Sequence, residues 1–364
     1  MEENKFPDFE SELESIAGTT TNESSKRATI SGVAKQSGSS PAGGADKPIR
    51  LDYYPPCVDY EFNKIKAIRV TSTLMSSLFF KRNPRERCPQ KLYHTILVSD
   101  MPTFTTLPMQ YGSFFEEQVI GRGRIKKVTV LPKLKGGSPT IDERRILEQV
   151  RMFQRVKDLY GIEVLENNVQ VKFSRKVEHP NFPEIDIYLH GAMDLVSPIH
   201  VKQTDFNFDA AVIDIKLTRD RNQEHGEYAW GKPEYLDVNQ IVHYSETNML
   251  PGFYLVFDYN AKSAKRNHSA NGHKLVPVIT VPMLQAMGHR LDYDHPDMIK
   301  ARQRRTDWKL TVKDTVEKVI QMHNEEYLCI PSYDECSECP LNMAVSPLVD
   351  DKTACKYANH IQRI

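Results

Sequence analysis

The chain has 364 residues, 40% apolar and 26% charged, enough for one large globular domain, and its 48 basic residues balance 48 acidic ones. A formal net charge of zero excludes a polycation that coats nucleic acid along its whole surface, so any nucleic-acid footprint must be local. No stretch is long or apolar enough to span a membrane, and the N-terminus is acidic and polar rather than a secretory leader, so the expectation is an intracellular, cytoplasmic protein.

Residues 1–48 stand apart. They open with an acidic run (Glu2, Glu3, Asp8, Glu10, Glu12, Glu14), continue Ser/Thr/Gly-rich to Gly43-Gly44, and carry almost no aromatic residue after Phe9. Such a segment cannot bury enough apolar surface to offset the entropy of ordering it, and it reads as a disordered tail. Residues 49–364 read as one α/β domain with a core over about 105–260, a helical insertion over about 139–161, and a helical, cysteine-rich extension over about 280–364. Three local basic clusters qualify as phosphate-binding surfaces: Lys81 to Lys91, Arg122 to Lys127 and Arg302 to Lys309. Each is equally readable as a solvated face.

Within the domain, Ile141 to Tyr160 carries Ile146, Val150, Phe153 and Val156 at helical spacing with Gly161 as the stop, which predicts a packing helix without a catalytic role. Val169 to Ser174 and Ile185 to Val196 read as strands, the second placing Asp194 among apolar residues after Gly191. The apolar run over 210–218 contains Asp214-Ile215-Lys216. On a strand, residues two apart share a face, so the carboxylate and the ammonium point the same way. Desolvating either charge alone costs several kcal/mol, which makes the pair expensive without a cation, a phosphate or a tight salt bridge. A lone Asp-x-Lys is nevertheless expected by chance about once in a chain this long. Glu234 to Leu250 reads as a helix stopped by Pro251-Gly252, with Gln240 and Tyr244 on one face, and Gly252 to Tyr259 reads as a further strand. Val312 to Tyr327 and beyond is read as helical. No Gly-x-x-x-x-Gly-Lys-Ser/Thr occurs, so no P-loop motor resides in the chain, and no nucleophile elbow supports a serine hydrolase. The adjacent lysine and the basic rim fit a glycosidase carboxylate pair poorly.

The order of strand, strand with Asp194, strand with Asp214-x-Lys216, helix with Gln240-x-x-x-Tyr244, strand resembles the PD-(D/E)XK nuclease superfamily, and within it the RecB-like and CRISPR-associated iron-sulfur exonucleases. The likeness covers about 290 residues, from roughly position 70 to the C-terminus. It implies a restriction-endonuclease-like core, a central mixed sheet flanked by helices, and a Mg²⁺- or Mn²⁺-dependent phosphodiester hydrolase acting on single-stranded DNA or duplex ends. The setting would be DNA recombination or repair, or phage or mobile-element biology, with any helicase partner on a separate polypeptide. The family's first helix carries a metal-facing residue, often the His of Gly-x-x-x-His. Tyr111 to Gly121 matches it with Gly112 as the close-packing glycine and Glu116 in place of His, and Glu117 is the competing assignment.

The resemblance assigns Glu116, Asp194, Asp214 and the Ile215 carbonyl to the metal. Lys216 would orient or activate the attacking water and stabilise charge on phosphorus, and Gln240 and Tyr244 would hold the phosphate or the lysine. Two carboxylates at about 4 Å repel by about 4 kcal/mol even at an effective dielectric of 20, so three converging on one point require a cation, and hard oxygen donors select a hard one. A non-catalytic nucleic-acid-binding or assembly protein on the same fold is the alternative. Cys336-Ser-Glu-Cys339-Pro, Cys355 and the upstream Cys88 resemble the family's iron-sulfur arrangement, a structural [4Fe-4S] cluster with tetrahedral zinc as the other option. The gap of fifteen residues between Cys339 and Cys355 exceeds the family's usual spacing. Cys329 is the substitute ligand and Cys57 a spare core thiol. Disulfides are disfavoured, since nothing points to an oxidising compartment.

Overall fold

A computed structural model of the chain describes residues 50–52, 55–62, 64–79, 92–99, 103–121, 129–134, 136–202, 204, 206–224, 228–259, 272–292 and 294–324. All fall within one compact unit, Asp46–Ile364. The tail over 1–48 lies outside them.

Among the described residues, nine strands and six α-helices follow in chain order: β1 (Arg50–Asp52), β2 (Val58–Glu61), β3 (Lys64–Val70), α1 (Ser72–Leu78), β4 (Thr103–Thr105), α2 (Leu107–Val119), α3 (Ile141–Tyr160), β5 (Val169–Val177), β6 (Asp186–His200), β7 (Asn207–Thr218), α4 (Asn239–Asn248), β8 (Gly252–Asp258), β9 (His273–Val278), α5 (Val281–Ala286) and α6 (Pro296–Asn324). Seven strands form one open sheet in the order β2-β3-β6-β7-β8-β9, with β5 also paired to β6, while β1 and β4 make a separate ribbon. The sheet is mixed: β3 with β6 and β7 with β8 run parallel, and its other pairs are antiparallel. The architecture is therefore α/β, a mixed sheet flanked by helices.

Alternation along the central strands builds two cores, one on each face. Val212 of β7 and Tyr254 and Val256 of β8 belong to the first, with Leu74 of α1, Ile241 of α4 and Trp308 of α6. Ile213, Ile215, Phe253, Leu255 and Phe257 belong to the second, with Phe115 of α2 and Ile146 and Phe153 of α3. Fully burying a side chain of this size contributes roughly 2–3 kcal/mol relative to exposing it. Every residue of β8 is buried, as expected of an inner strand covered on both faces.

The packing helix α3 has its predicted ends: the Thr140 hydroxyl accepts from Glu143 N–H at 3.1 Å, and Gly161 closes the helix at φ 64°. Other elements differ from the sequence expectation. The segment over 234–250 is not one helix. A single 3₁₀ turn, Pro233–Tyr235, comes first, and α4 starts only where the Asp237 carboxylate accepts Asn239 N–H. β6 runs four residues past Val196, its Pro198 falling where the register with β7 shifts between Ser197 and Ile199, one of the few places a sheet tolerates proline. α6 begins well before Val312. The close-packing glycine is not Gly112, where an added Cβ would meet nothing within 4 Å among the described residues, but Gly191, where it would lie 2.7 Å from the Phe173 ring and 3.0 Å from Tyr244.

His243 of α4 is fully buried between the sheet and α6. Trp308 Nε1 donates to its Nδ1 at 3.2 Å and its Nε2 faces the His190 carbonyl at 3.2 Å, so the proton sits on Nε2. Burial lowers its pKa from 6.5 to about 4. The unfolded chain then binds the extra proton first. The stability from neutral His243 is complete above pH 6.5 and is lost as pH falls toward 4, on the order of 3 kcal/mol.

Two predictions follow from this packing. Gly191→Ala should lower the unfolding free energy by about 1–3 kcal/mol in denaturant titrations, while Gly112→Ala should be neutral or stabilising by about 0.5–1 kcal/mol, as for an open helical position. Between pH 7 and 4.5, His243→Leu should start less stable than wild type but show a shallower loss of stability; parallel curves would refute a buried neutral histidine.

Candidate active site

The site forms where β6 and β7 separate. Their ladder ends at the Leu195 and Ile213 pair, while β7 stays paired to β8 as far as Thr218. Asp194 of β6 spans the opening, its Oδ2 accepting Ile215 N–H at 3.0 Å, so the carboxylate satisfies a backbone donor beyond the end of the ladder.

Asp214 and Lys216 share the face of β7 that packs on α4, as their spacing predicts. Asp214 is completely buried. Lys216 Nζ lies 2.5 Å from Asp214 Oδ2 and donates to Gln240 Oε1 at 3.1 Å, and Gln240 Nε2 donates to Asp214 Oδ1 at 3.0 Å. This closes a three-membered ring. Because the ammonium has only donors, it fixes the Gln240 amide with its oxygen toward the lysine. One helical turn on, the Tyr244 hydroxyl accepts from Gln240 Nε2 at 3.2 Å. Gln240 and Tyr244 therefore act on the Asp-x-Lys pair itself. Burial would lower the Lys216 pKa, but the Asp214 and Asp194 carboxylates outweigh it and raise it above the ordinary lysine value. Burial, and then the Asp214 charge, push Tyr244 up to about 12.

From the opposite face of the sheet, α2 delivers Glu116. Gln170 Nε2 donates to Glu116 Oε1 and reaches Asp194 Oδ1 at 3.5 Å, tying the two carboxylates together. Glu117 is committed elsewhere: its two oxygens accept Thr129 N–H at 2.9 and 3.0 Å, and Oε1 also takes the Thr129 hydroxyl at 2.7 Å. The choice left open between the two glutamates thus falls to Glu116. Burial raises the Glu116 pKa to about 7 against the pull of Lys216, with Asp214 and Glu117 adding repulsion. Asp194 stands well above the ordinary carboxylate range, from burial and then the Glu116 and Asp214 charges, with Lys216 and the Ile215 N–H opposing.

Glu116, Asp194, Asp214 and Lys216 are thus one electrostatic unit, as the sequence motifs imply, although no three His, Cys, Asp or Glu side chains among the described residues are drawn together tightly enough to cage a metal ion. Two nitrogen donors stand among the carboxylates instead, Gln170 Nε2 and Lys216 Nζ. The donor chemistry fits Mg²⁺ or Mn²⁺: the oxygens are hard, burial and then carboxylate repulsion raise the Glu116 and Asp194 pKa values, and the fully buried Asp214 carboxylate already faces one cation, the Lys216 ammonium. Sequence reasoning missed Gln170, since a Val-Gln-Val alternation marks only an outward polar position on a strand. It also missed Tyr254, opposite Asp214 on β8, whose hydroxyl donates to the Asp237 carbonyl at 3.3 Å.

The other residues singled out in the sequence divide by position. Of the basic cluster over 302–309, Arg304 donates to the Ile279 carbonyl and Arg305 to Glu246, each at 2.7 Å, so these two guanidinia fasten α6 to the body of the domain. The clusters over 81–91 and 122–127 lie outside the described residues, as do Cys88, Cys329, Cys336, Cys339 and Cys355. Cys57 is a buried thiol of the first core, its pKa pushed up to about 11 by burial. Among the described residues no helix is long and apolar enough to cross a membrane. Scanned against protein-family models and the sequences of curated proteins, the chain matches none.

The ring makes a double-mutant prediction. Lys216→Met should cost about 3–5 kcal/mol by leaving Asp214 as a buried unpaired charge, and adding Asp214→Asn should recover most of that loss. Additive losses in equilibrium unfolding would contradict the pairing.

Proposed function

We propose that the chain is a metal-dependent nuclease with a PD-(D/E)XK type of core, hydrolysing phosphodiester bonds of DNA and processing its ends. The observation that carries this reading is the closed ring of Asp214, Lys216 and Gln240 set beside Asp194 and Glu116 where β6 and β7 part. An ion pair whose carboxylate is fully buried is a costly way to stabilise a strand, since apolar residues of similar volume often serve as well.

The carboxylates of Glu116, Asp194 and Asp214 and the Ile215 carbonyl would hold the cation. Bound there, Mg²⁺ or Mn²⁺ lowers the pKa of a coordinated water and offsets charge on the phosphoryl group. Lys216 carries its charge throughout, because its raised pKa keeps it protonated at neutral pH. Its role is then to orient the phosphate and stabilise negative charge developing on its oxygens, rather than to abstract a proton. Gln240 holds the ammonium in place, and Tyr244, whose ring lies against Gly191, accepts a hydrogen bond from the Gln240 amide. The cysteine pattern of Cys88, Cys336, Cys339 and Cys355 adds a structural [4Fe-4S] cluster to the proposal, with zinc as the alternative.

The test digests end-labelled single- and double-stranded DNA after anaerobic purification, with visible absorption and metal analysis of the same preparation. Mg²⁺ should support cleavage and EDTA should abolish it. Asp214→Asn, which keeps the side-chain shape, should lose roughly a thousandfold or more in rate while DNA binding persists. Activity surviving in EDTA would sink the proposal, and full biological function in the Asp214→Asn variant would favour a non-catalytic nucleic-acid-binding role.

A further inference from the structure

Gln170 sits at a defect shared by β5 and β6. Residues two apart on a strand normally face the same way, yet Val169 belongs to the second core while Val171 packs against the first, and on β6 Leu195 belongs to the second core while Met193 belongs to the first. Register pairs flank the position, Val169 with Leu195 and Val171 with Met193, while Gln170 and Asp194 between them are not paired. Both strands turn over there. On β5 the turn is made by a non-glycine residue in the left-handed region, Gln170 at φ 50°, a conformation that such side chains rarely adopt and that clusters at functional sites.

What the turn accomplishes is to aim the Gln170 amide between Glu116 and Asp194, with Nε2 donating toward both. A neutral amide bridges carboxylates without cancelling their charge. It also carries an acceptor on the same terminal carbon, and rotation about one side-chain bond exchanges the NH₂ for Oε1. A cation entering between those carboxylates would repel the NH₂ end and attract the carbonyl end, and amide carbonyl oxygens are ordinary ligands of hard cations.

We infer that Gln170 is a positioning residue for the divalent cation: through Nε2 it holds Glu116 and Asp194 together while the cation is absent, and it turns over to present Oε1 when the cation enters. This rests on the metal-dependent reading above. It makes the metal-free site self-supporting, and it adds a neutral oxygen to a donor set otherwise built from carboxylates and one backbone carbonyl.

The experiment titrates Mn²⁺ alone into the full chain by calorimetry and records thermal melts in EDTA, for wild type, Gln170→Leu and Gln170→Glu. Both variants should melt lower than wild type in EDTA, since neither places a donor between the carboxylates. Mn²⁺ affinity should fall about tenfold in Gln170→Leu and rise about tenfold in Gln170→Glu. If Gln170→Leu does not fold, Gln170→Gly, which keeps the left-handed backbone without strain, should show the same weaker binding. Wild-type Mn²⁺ affinity in both substitutions would overturn the inference and leave Gln170 as a strand-kink residue. Failure of wild type to bind Mn²⁺ would overturn the metal reading and this inference together.

Discussion

The Asp214 and Lys216 pair on β7 is the constraint from which much of the surrounding structure follows. A carboxylate with no solvent exposure, on a strand paired on one side to the fully buried β8, would cost several kcal/mol to desolvate alone, and its partner's ammonium repays that only with further hydrogen bonds. Gln240 supplies them, which requires α4 to present the same face at residue 240 and at residue 244. Tyr244 in turn lies against β6 together with Phe173 of β5, and the two rings leave no room for a Cβ at Gly191. One ion pair thereby constrains a helix register and a tyrosine on α4 and a glycine on β6.

The second determining feature is the parting of β6 from β7. A continuous ladder would have kept the two faces of the sheet separate, with Asp214 and Lys216 facing α4 and Glu116 confined to the side covered by α2 and α3. The gap beyond Leu195 and Ile213, and the turn-over at Gln170 and Asp194, let groups from both faces meet. Their meeting is costly: burial above all, and carboxylate repulsion after it, raises the pKa values of Glu116 and Asp194. The fold tolerates that repulsion by supplying nitrogen donors, one charged on Lys216 and one neutral on Gln170. Stability and site chemistry are therefore set by the same few atoms.

The elements whose ends are controlled by near neighbours were legible along the chain. α3 is closed by a left-handed glycine, β8 is a continuous apolar run that follows the Pro251-Gly252 stop, and the Asp-x-Lys and Gln-x-x-x-Tyr spacings each place two side chains on one face. Where distant partners intervene, the local pattern misled. Residues 234–238 look helical yet are held by a 3₁₀ turn and by the Asp237 carboxylate accepting Asn239 N–H. Gly112 looks like a packing glycine yet an added Cβ there would meet nothing within 4 Å among the described residues. Arg304 and Arg305 look like a phosphate-binding cluster yet are engaged by a carbonyl and a buried glutamate.

By itself the sequence determined the two periodicities, the caps and the placing of a carboxylate and an ammonium on one face of a buried strand, because these depend on backbone geometry over a few residues. The tertiary structure decided which glutamate joins the site, that Gln170 belongs to it, and that Gln240 grips the lysine. Those outcomes rest on contacts between residues 24 to 54 positions apart, such as Lys216 with Gln240 and Gln170 with Glu116. No local pattern encodes such contacts, since they exist only once α4 packs on β7 and once β6 and β7 separate to let Glu116 and Gln170 meet Asp194.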